Sequence, residues 1–327
     1  MRWLPLLALL LVACSSAPYD AESLRLRYPE LASEQARALA RTMPYLLPAA
    51  GRITWFVCRH DTSLPLLVSL VGDSSADEEA ALDAALAALA RSVTDLRFVR
   101  VPPDEATIHV EFVEGLVARE RGQDQANTIA DCRVVTSALG AEPPTPLPAS
   151  LVRARIRIGR GGPQDALGRE RSLGRAELTG VLIHELGHAL GLPGHREGAG
   201  IMTRNLEALA RLGGFALQKK PIDAPALTAL YRMPQGAVLA QAAVSPARTH
   251  LVDRMARLVA GSDVEGPFVR VGDTLARIYW RDAKAREYGV QVVLLEELLR
   301  HPEGLVILPE ARTRRALPSS NDPALGE

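Results

Sequence analysis

The sequence predicts an α+β protein, because strand-like and helix-like segments follow one another along its 327 residues. Four short segments are rich in β-branched and aromatic residues or alternate apolar with polar residues, as strands do. They are residues 52–58, 96–101, 107–113 and 151–158. Two longer segments, from about 76 to 91 and from 175 to 190, have the composition and spacing of helices. A hydrophobic content of 47% with 23% charged residues is that of a globular chain.

Residues 1–14 have the features of a lipoprotein signal peptide. One charged residue precedes an apolar run at residues 4–12, which is too short to span a bilayer. The run ends in LVAC and resembles the bacterial lipobox, whose cysteine, here Cys14, becomes lipidated. Ser15 follows where an aspartate would signal inner-membrane retention, so the resemblance implies an outer-membrane lipoprotein of a bacterial cell envelope, anchored by its acyl chains. The alternative is an ordinary signal peptide with a chance cysteine.

Residues 15–49 are expected to form a tether with a short helix. That helix is predicted over residues 33–42, with Pro44 and Pro48 ending it. The next helix is better defined, because residues 73–75 offer caps and three acidic residues follow in its first turn. Negative charge at this end suits the helix dipole.

Two cysteines remain beyond the leader, Cys58 and Cys132. In an oxidising compartment they can pair, and the chain-entropy relation values a disulfide across so long a loop at about 4 kcal/mol. Two buried thiols are the alternative, and the sequence leaves both open. They are not expected to bind metal.

Residues 184–195 read HELGHALGLPGH, an uninterrupted H-E-x-x-H-x-x-G-x-x-H pattern. Residues four apart on a helix share a face, so His184 and His188 can present two imidazoles to one ion. Gly191 stands where this helix should end, because glycine tolerates the left-handed conformation of such an end. His195 can then return as a third ligand. Three protein ligands leave a fourth tetrahedral position for water, which is the arrangement of a catalytic zinc.

Glu185 is predicted to be the catalytic residue of this site. It is adjacent to His184, close enough to contact a water on the ion without being a ligand. Zinc lowers the pKa of its water from about 15.7 to about 7, and Glu185 would accept that proton and return it to the leaving amine. An ordinary amphipathic helix with two solvent-facing histidines is the alternative, but it explains neither Gly191 nor His195.

The pattern, followed by Ile201-Met202-Thr203, resembles the metzincin clan of zinc endopeptidases, and most of all its matrixin branch. The resemblance covers about residues 50–233. It implies a twisted, mostly parallel sheet with two long helices and a small subdomain after the third histidine. It also implies that Met202 forms an apolar floor beneath the metal, the Met-turn, although Met202 can equally be a plain core residue. One catalytic zinc ion is expected, because residues 159–174 contain no histidine for a second, structural zinc.

The resemblance also implies a strand that lines the cleft and pairs with an extended peptide substrate, near residues 151–158. A proline-rich stretch at 141–150, interpreted as a surface loop, precedes this strand. In the predicted strand at 151–158, three arginines alternate with apolar positions: Arg153, Arg155 and Arg157. As a substrate edge they would favour acidic peptides, and as a solvated face they would discourage aggregation. Some metzincins have a tyrosine two residues after the methionine, where this chain has Arg204.

Residues 234–327 lie outside the resemblance. They are expected to form a helical extension with a disordered tail. Helices are predicted at residues 249–260 and 272–301, the second broken at Gly289, and the tail from residue 312 is polar.

Lys plus Arg equal Asp plus Glu at 38 each, so no bulk charge indicates a nucleic-acid partner. The expected partners are a peptide or protein substrate and, through Cys14, a membrane; the oligomeric state is not indicated. The sequence therefore predicts a zinc-dependent metalloendopeptidase anchored in a bacterial envelope. Two alternatives stay open, a non-catalytic peptide-binding lipoprotein and a zinc amidase that acts on cell-wall peptides.

Overall fold

A computed structural model gives the fold of most of the chain. It describes residues 19–42, 44–49, 52–114, 126–135, 146–161, 171–195, 200–243, 268–271, 274–282 and 287–294. The leader with Cys14, the helix predicted at 249–260, the tail from 312 and the first half of the proline-rich stretch, 141–145, lie outside these residues. Among the residues described, no helix combines the length and the apolar character needed to cross a membrane.

The secondary structure mixes helices and strands along the whole chain. The helices are α1 (Ala21–Arg27), α2 (Ser33–Ala40), α3 (Ala76–Ser92), α4 (Arg175–Ala189), α5 (Leu206–Leu217) and α6 (Pro225–Arg232). The strands are β1 (Tyr45–Ala49), β2 (Arg52–Phe56), β3 (Leu66–Val71), β4 (Phe98–Arg100), β5 (Ile108–Val113), β6 (Ala126–Val135), β7 (Ala149–Gly159), β8 (Val238–Ala243), β9 (Phe268–Val271), β10 (Thr274–Asp282) and β11 (Glu287–Leu294).

The larger sheet has the strand order β4-β3-β5-β7-β6-β11-β10-β9. Its first four strands are parallel, and β6 runs antiparallel to β7. Buried side chains of α3 and α4 share one apolar core with the inward residues of β5 and β7, such as Val110 and Ile156. The predicted α+β class and the mostly parallel sheet are therefore confirmed for these five strands and the helices packed on them.

Local sequence signals account for several of these elements. The hydroxyl of Ser75 accepts the backbone N–H of Glu78, while the Glu78 carboxylate accepts the N–H of Ser75, and this capping box starts α3. Buried and half-buried positions alternate along β5, in agreement with its sequence pattern. The strand β3 has no such alternation, because it lies between two parallel neighbours and is apolar at nearly every position. The alternation pattern therefore does not identify β3 as a strand.

The N-terminal segment is more ordered than a tether with one helix. Besides α2 it contains α1 and the strand β1, which belongs to a small sheet of order β1-β2-β8. Among the described strands β1 pairs only with β2, and an edge strand tolerates Pro48, which lacks a backbone N–H. Pro48 therefore stands within a strand instead of ending a helix.

The helix predicted over residues 272–301 is wrong. Residues 274–282 and 287–294 form β10 and β11, an antiparallel pair, and Gly289 lies within β11 opposite Tyr279. The sequence of β11 is rich in valine, whose branched side chain loses rotamer freedom in a helix and fits a strand. Pairing of β11 with β6 then incorporates this region into the main sheet.

The placement of the substrate edge at residues 151–158 is also wrong. The strand β7 is internal, because it pairs with β5 on one side and with β6 on the other. Its arginines lie on the sheet face opposite the buried Ala154, Ile156 and Ile158, and there Arg155 forms an ion pair with Glu111. The outer strand of the five is β6. Along residues 126–130 no described strand pairs with its outer edge.

Candidate metal centre

The helix α4 carries the histidine pattern through the interior of the protein. It begins at Arg175, where the carboxylate of Glu177 accepts the backbone N–H of Gly174 and pairs with Arg171. From residue 179 to residue 187 every position is buried, including His184 and Glu185 at 5% exposure each. Two polar side chains so deep in a helix core indicate a site and not a solvated helix face.

The three predicted ligands meet at one point. The ligand nitrogens of His184, His188 and His195 all lie within 4.8 Å of one another. The Nε2 atoms of His188 and His195 are 3.2 Å apart. Two nitrogens on one ion at about 2.0–2.1 Å each, in tetrahedral geometry, would be separated by a similar distance. The three histidines could therefore hold a metal ion.

Hydrogen bonds orient two of these rings for metal binding. His184 Nδ1 donates to the carbonyl of Ile201 at 2.8 Å, and His188 Nδ1 donates to the carbonyl of Leu192 at 2.7 Å. A carbonyl oxygen only accepts, so each Nδ1 carries the proton and each Nε2 carries the lone pair that a metal needs. Burial, together with the nearby His195 and Arg204, lowers the pKa of His184 to about 3, which keeps this ring neutral at ordinary pH.

His195 has a different neighbour. Its Nδ1 lies 3.1 Å from Nη2 of Arg204, the residue two positions after Met202. The sequence assigned no role to Arg204, and the structure places its positive charge beside the third histidine. Met202 is 2% exposed and packs against Gly187, where an added Cβ would lie 2.6 Å from its sulfur. The methionine thus contacts α4 between the two histidines of the helix.

The end of α4 is fixed by contacts from distant parts of the chain. Gly191 has φ +116°, and a Cβ on it would lie 2.4 Å from the carbonyl oxygen of Cys58, so only glycine fits this turn without strain. The last carbonyls of the helix accept bonds from side chains, Ala189 from His60 Nε2 at 3.1 Å and Leu190 from the Tyr231 hydroxyl at 3.0 Å.

Glu185 points to the strand β6. The hydroxyl of Thr128 lies 2.5 Å from Oε2 of Glu185 and 3.2 Å from its backbone oxygen. No local sequence pattern marks Thr128, because 57 positions separate it from Glu185. Only the register of β6 against β7 directs this side chain to α4.

Cys58 and Cys132, whose pairing the sequence left open, form a disulfide. Both residues are fully buried. The bond connects the segment after β2, which contacts Gly191, to the strand that carries Thr128. It therefore joins two backbone segments, one in contact with the turn that ends α4 and one in contact with Glu185 on α4.

The helix α5 packs closely on α4 through glycines. A Cβ on Gly180 would lie 1.9 Å from the Leu209 carbonyl oxygen, and a Cβ on Gly213 would lie 1.9 Å from the Ala176 carbonyl oxygen. The two helix backbones are thus in direct contact, so α5 supports α4 from the side.

No protein-family model matches this chain, and a search of curated proteins finds no match to it. Because these comparisons indicate no function, a function has to be inferred from the histidine site itself.

Proposed function

We propose that the protein is a zinc-dependent metalloendopeptidase in which His184, His188 and His195 bind the ion and Glu185 is the general base. One observation carries this proposal: three histidine nitrogens lie within 4.8 Å of one another, and Glu185 adjoins them on the same buried helix. The likeness of residues 184–202 to the metzincin pattern supports the same conclusion.

The ligand set fits zinc. Three imidazoles without a carboxylate suit zinc and disfavour magnesium or calcium, which prefer oxygen ligands. Two of the rings are already held in the required tautomer by the carbonyls of Ile201 and Leu192. When bound, zinc lowers the pKa of water and polarises the carbonyl of the bond to be cleaved.

The residues of the chain supply the remaining chemistry. The Glu185 carboxylate accepts a proton from the attacking water and gives it to the amine that leaves. Thr128 bonds to Oε2 and so restrains the direction of the carboxylate. Burial of Glu185 at 5% exposure keeps bulk water from competing with the reacting groups.

The outer edge of β6 offers a place for the substrate. Along residues 126–130 no described strand pairs with it, and Thr128 lies within this stretch. An extended peptide can add there as another strand, so that backbone hydrogen bonds hold it beside Glu185. This geometry favours peptides in extended conformation over folded substrates.

We also propose that the protein is lipidated at Cys14 and anchored in the outer membrane of a bacterial envelope. The LVAC ending of the leader supports this address. The buried disulfide is consistent with it, because such bonds persist in oxidising compartments. Metabolic labelling with a fatty-acid analogue should mark the wild-type protein and not a Cys14→Ser variant; equal labelling of both would exclude Cys14 as the lipid site.

The enzymatic proposal is tested by digestion of a complex peptide mixture by the full-length protein in detergent. Zinc-loaded protein should cleave peptides, chelation should abolish cleavage, and added zinc should restore it. Glu185→Gln should bind one zinc per chain and lose activity by about 10²–10⁴-fold. Cleavage retained in that variant would remove Glu185 from its role. Zinc binding without cleavage would instead favour a peptide-binding protein, and release of peptides from purified cell wall alone would favour an amidase.

A further inference from the structure

The outer edge of β6 is divided into two parts. Residues 132–135 pair with β11, from Cys132 opposite Val290 to Val135 opposite Glu287. Along residues 126–131 no strand that the structure describes is paired with that side of β6. Beyond Val290 the strand β11 continues in pairing with β10 and leaves β6. Cys132 is therefore the point at which the edge becomes occupied.

This point lies close to the reacting groups. Thr128, which contacts Glu185, belongs to the first part of the edge. Three residues, 129–131, separate it from Cys132. Because paired residues in a sheet match one to one, a peptide added along β6 can extend about three residues in this direction before it meets β11.

The junction at which β11 joins β6 is held in place on both strands. Cys132 is bonded to Cys58, which fixes β6 where the pairing with β11 begins. The strand β11 is paired on its other side with β10 along its whole length. A longer peptide would have to displace a strand that is paired on both edges. Displacing β11 is therefore less favourable than binding with fewer peptide residues paired to β6.

We propose that β11 closes one end of the substrate edge and limits the peptide to about three residues on the N-terminal side of the reacting centre. This inference rests on the proposed peptidase function and specifies its substrates. The peptide is expected to run antiparallel to β6, because antiparallel strand pairs outnumber parallel ones about two- to threefold in proteins. An antiparallel peptide has its N-terminal part opposite the higher-numbered residues of β6, towards Cys132. The preferred substrates are extended peptides with few residues on the N-terminal side of the cleaved bond.

Two nested peptide series test this in the full-length, zinc-loaded protein. Each is built on one extended peptide that binds the protein, and residues are counted from its cleaved bond where the wild type cleaves it. The first adds one to six residues on the N-terminal side, and the second adds residues on the C-terminal side. In the first series kcat/KM should rise up to about three residues and change less than about twofold beyond. A further rise of fivefold or more from the fourth to the sixth residue would overturn the proposal, and so would a plateau found only in the C-terminal series.

Binding of the same peptides to Glu185→Gln, measured by fluorescence anisotropy, separates this inference from the proposed function. If affinity reaches a plateau at about three N-terminal residues but the wild type cleaves no peptide, β11 closes the edge and the protein is not a peptidase. If the wild type cleaves the peptides but affinity shows no plateau, the protein is a peptidase and β11 does not close the edge.

A pair of variants tests β11 directly. Val290→Pro alters a position of β11 that pairs with β6, whereas Leu294→Pro alters one that, among the described strands, pairs only with β10. Peptides with four to six N-terminal residues should gain at least fivefold in affinity with Val290→Pro and not with Leu294→Pro. Equal effects would contradict the proposal, and the wild-type series decides it if either variant fails to fold.

Discussion

The hydroxyl of Thr128, on a strand, lies 2.5 Å from Oε2 of Glu185, on the helix that carries the histidines. This bond joins the sheet to the proposed general base, across 57 positions of sequence. The bond restrains the direction of the carboxylate on a helix whose neighbouring histidines could hold a metal ion.

Replacing Thr128 by valine keeps the shape of the side chain and removes the hydroxyl. A hydrogen bond to a charged group contributes about 1.5–3 kcal/mol, so kcat should fall by about 10- to 100-fold while zinc content and KM stay near wild type. Steady-state kinetics with metal analysis measures this. Thr128→Ser retains the hydroxyl and should recover most of kcat. If serine and valine behave alike, the hydroxyl does not position Glu185.

The helix contact gives a prediction on stability with an adjacent control. Gly213→Ala would place a Cβ 1.9 Å from the Ala176 carbonyl oxygen, whereas Gly214→Ala would meet nothing within 4 Å. We expect the first to lower the free energy of unfolding by about 1–3 kcal/mol or more. The second should raise it by about 0.4–1 kcal/mol, because alanine restricts the unfolded chain. Urea unfolding compares them, and shifts of equal sign would contradict the close packing of α4 and α5.

The buried His60 predicts a pH dependence of stability. Burial lowers its pKa to about 4 in the folded protein, against about 6.5 in an unfolded chain. Between these values the unfolded state binds a proton that the folded state does not, so stability is lost as the pH falls from about 6.5 towards 4.

His60→Gln removes this titration and keeps an N–H for the Ala189 carbonyl. From pH 7 to pH 5 the wild type should lose about 2 kcal/mol more than this variant, measured by urea unfolding of zinc-free protein in both cases. Parallel pH profiles would show that His60 is not the responsible group. Other titrating histidines, including His184, are common to both proteins and cancel in the comparison.

The disulfide should stabilise the whole fold. The bond closes a loop with a sequence separation of 74, for which the chain-entropy relation gives about 4 kcal/mol. Unfolding under reducing conditions should therefore begin at a lower urea concentration than under oxidising conditions. A Cys58→Ala, Cys132→Ala variant should resemble the reduced protein and be indifferent to reductant. A wild-type midpoint that does not move, with both thiols shown to be free, would contradict this.

The parts of the fold that local sequence determines are predictable. The spacing of His184 and His188, with Gly191 at the turn, is sufficient to predict that three histidines meet, because residues four apart share a helix face. The Ser75 cap likewise defines the start of α3. Both signals lie within a few residues of the feature they specify.

Long-range pairing explains what local sequence does not predict. The register that directs Thr128 to Glu185 and the pairing of β11 with β6 depend on strands far apart in the chain. Their residues carry no mark of their partners, and helical spacing in the C-terminal region is a misleading signal there. The proximity of Gly213 to α4 is of the same kind, because glycine within a helix does not reveal which backbone approaches it.

The last turn of α4 is held by His60, which precedes it in the chain, and by Tyr231, which follows 41 residues after Leu190. During translation the histidines therefore leave the ribosome well before the tyrosine that secures their helix. A chain that ends before Tyr231 would therefore lack one of the two side-chain contacts that hold the last turn of α4.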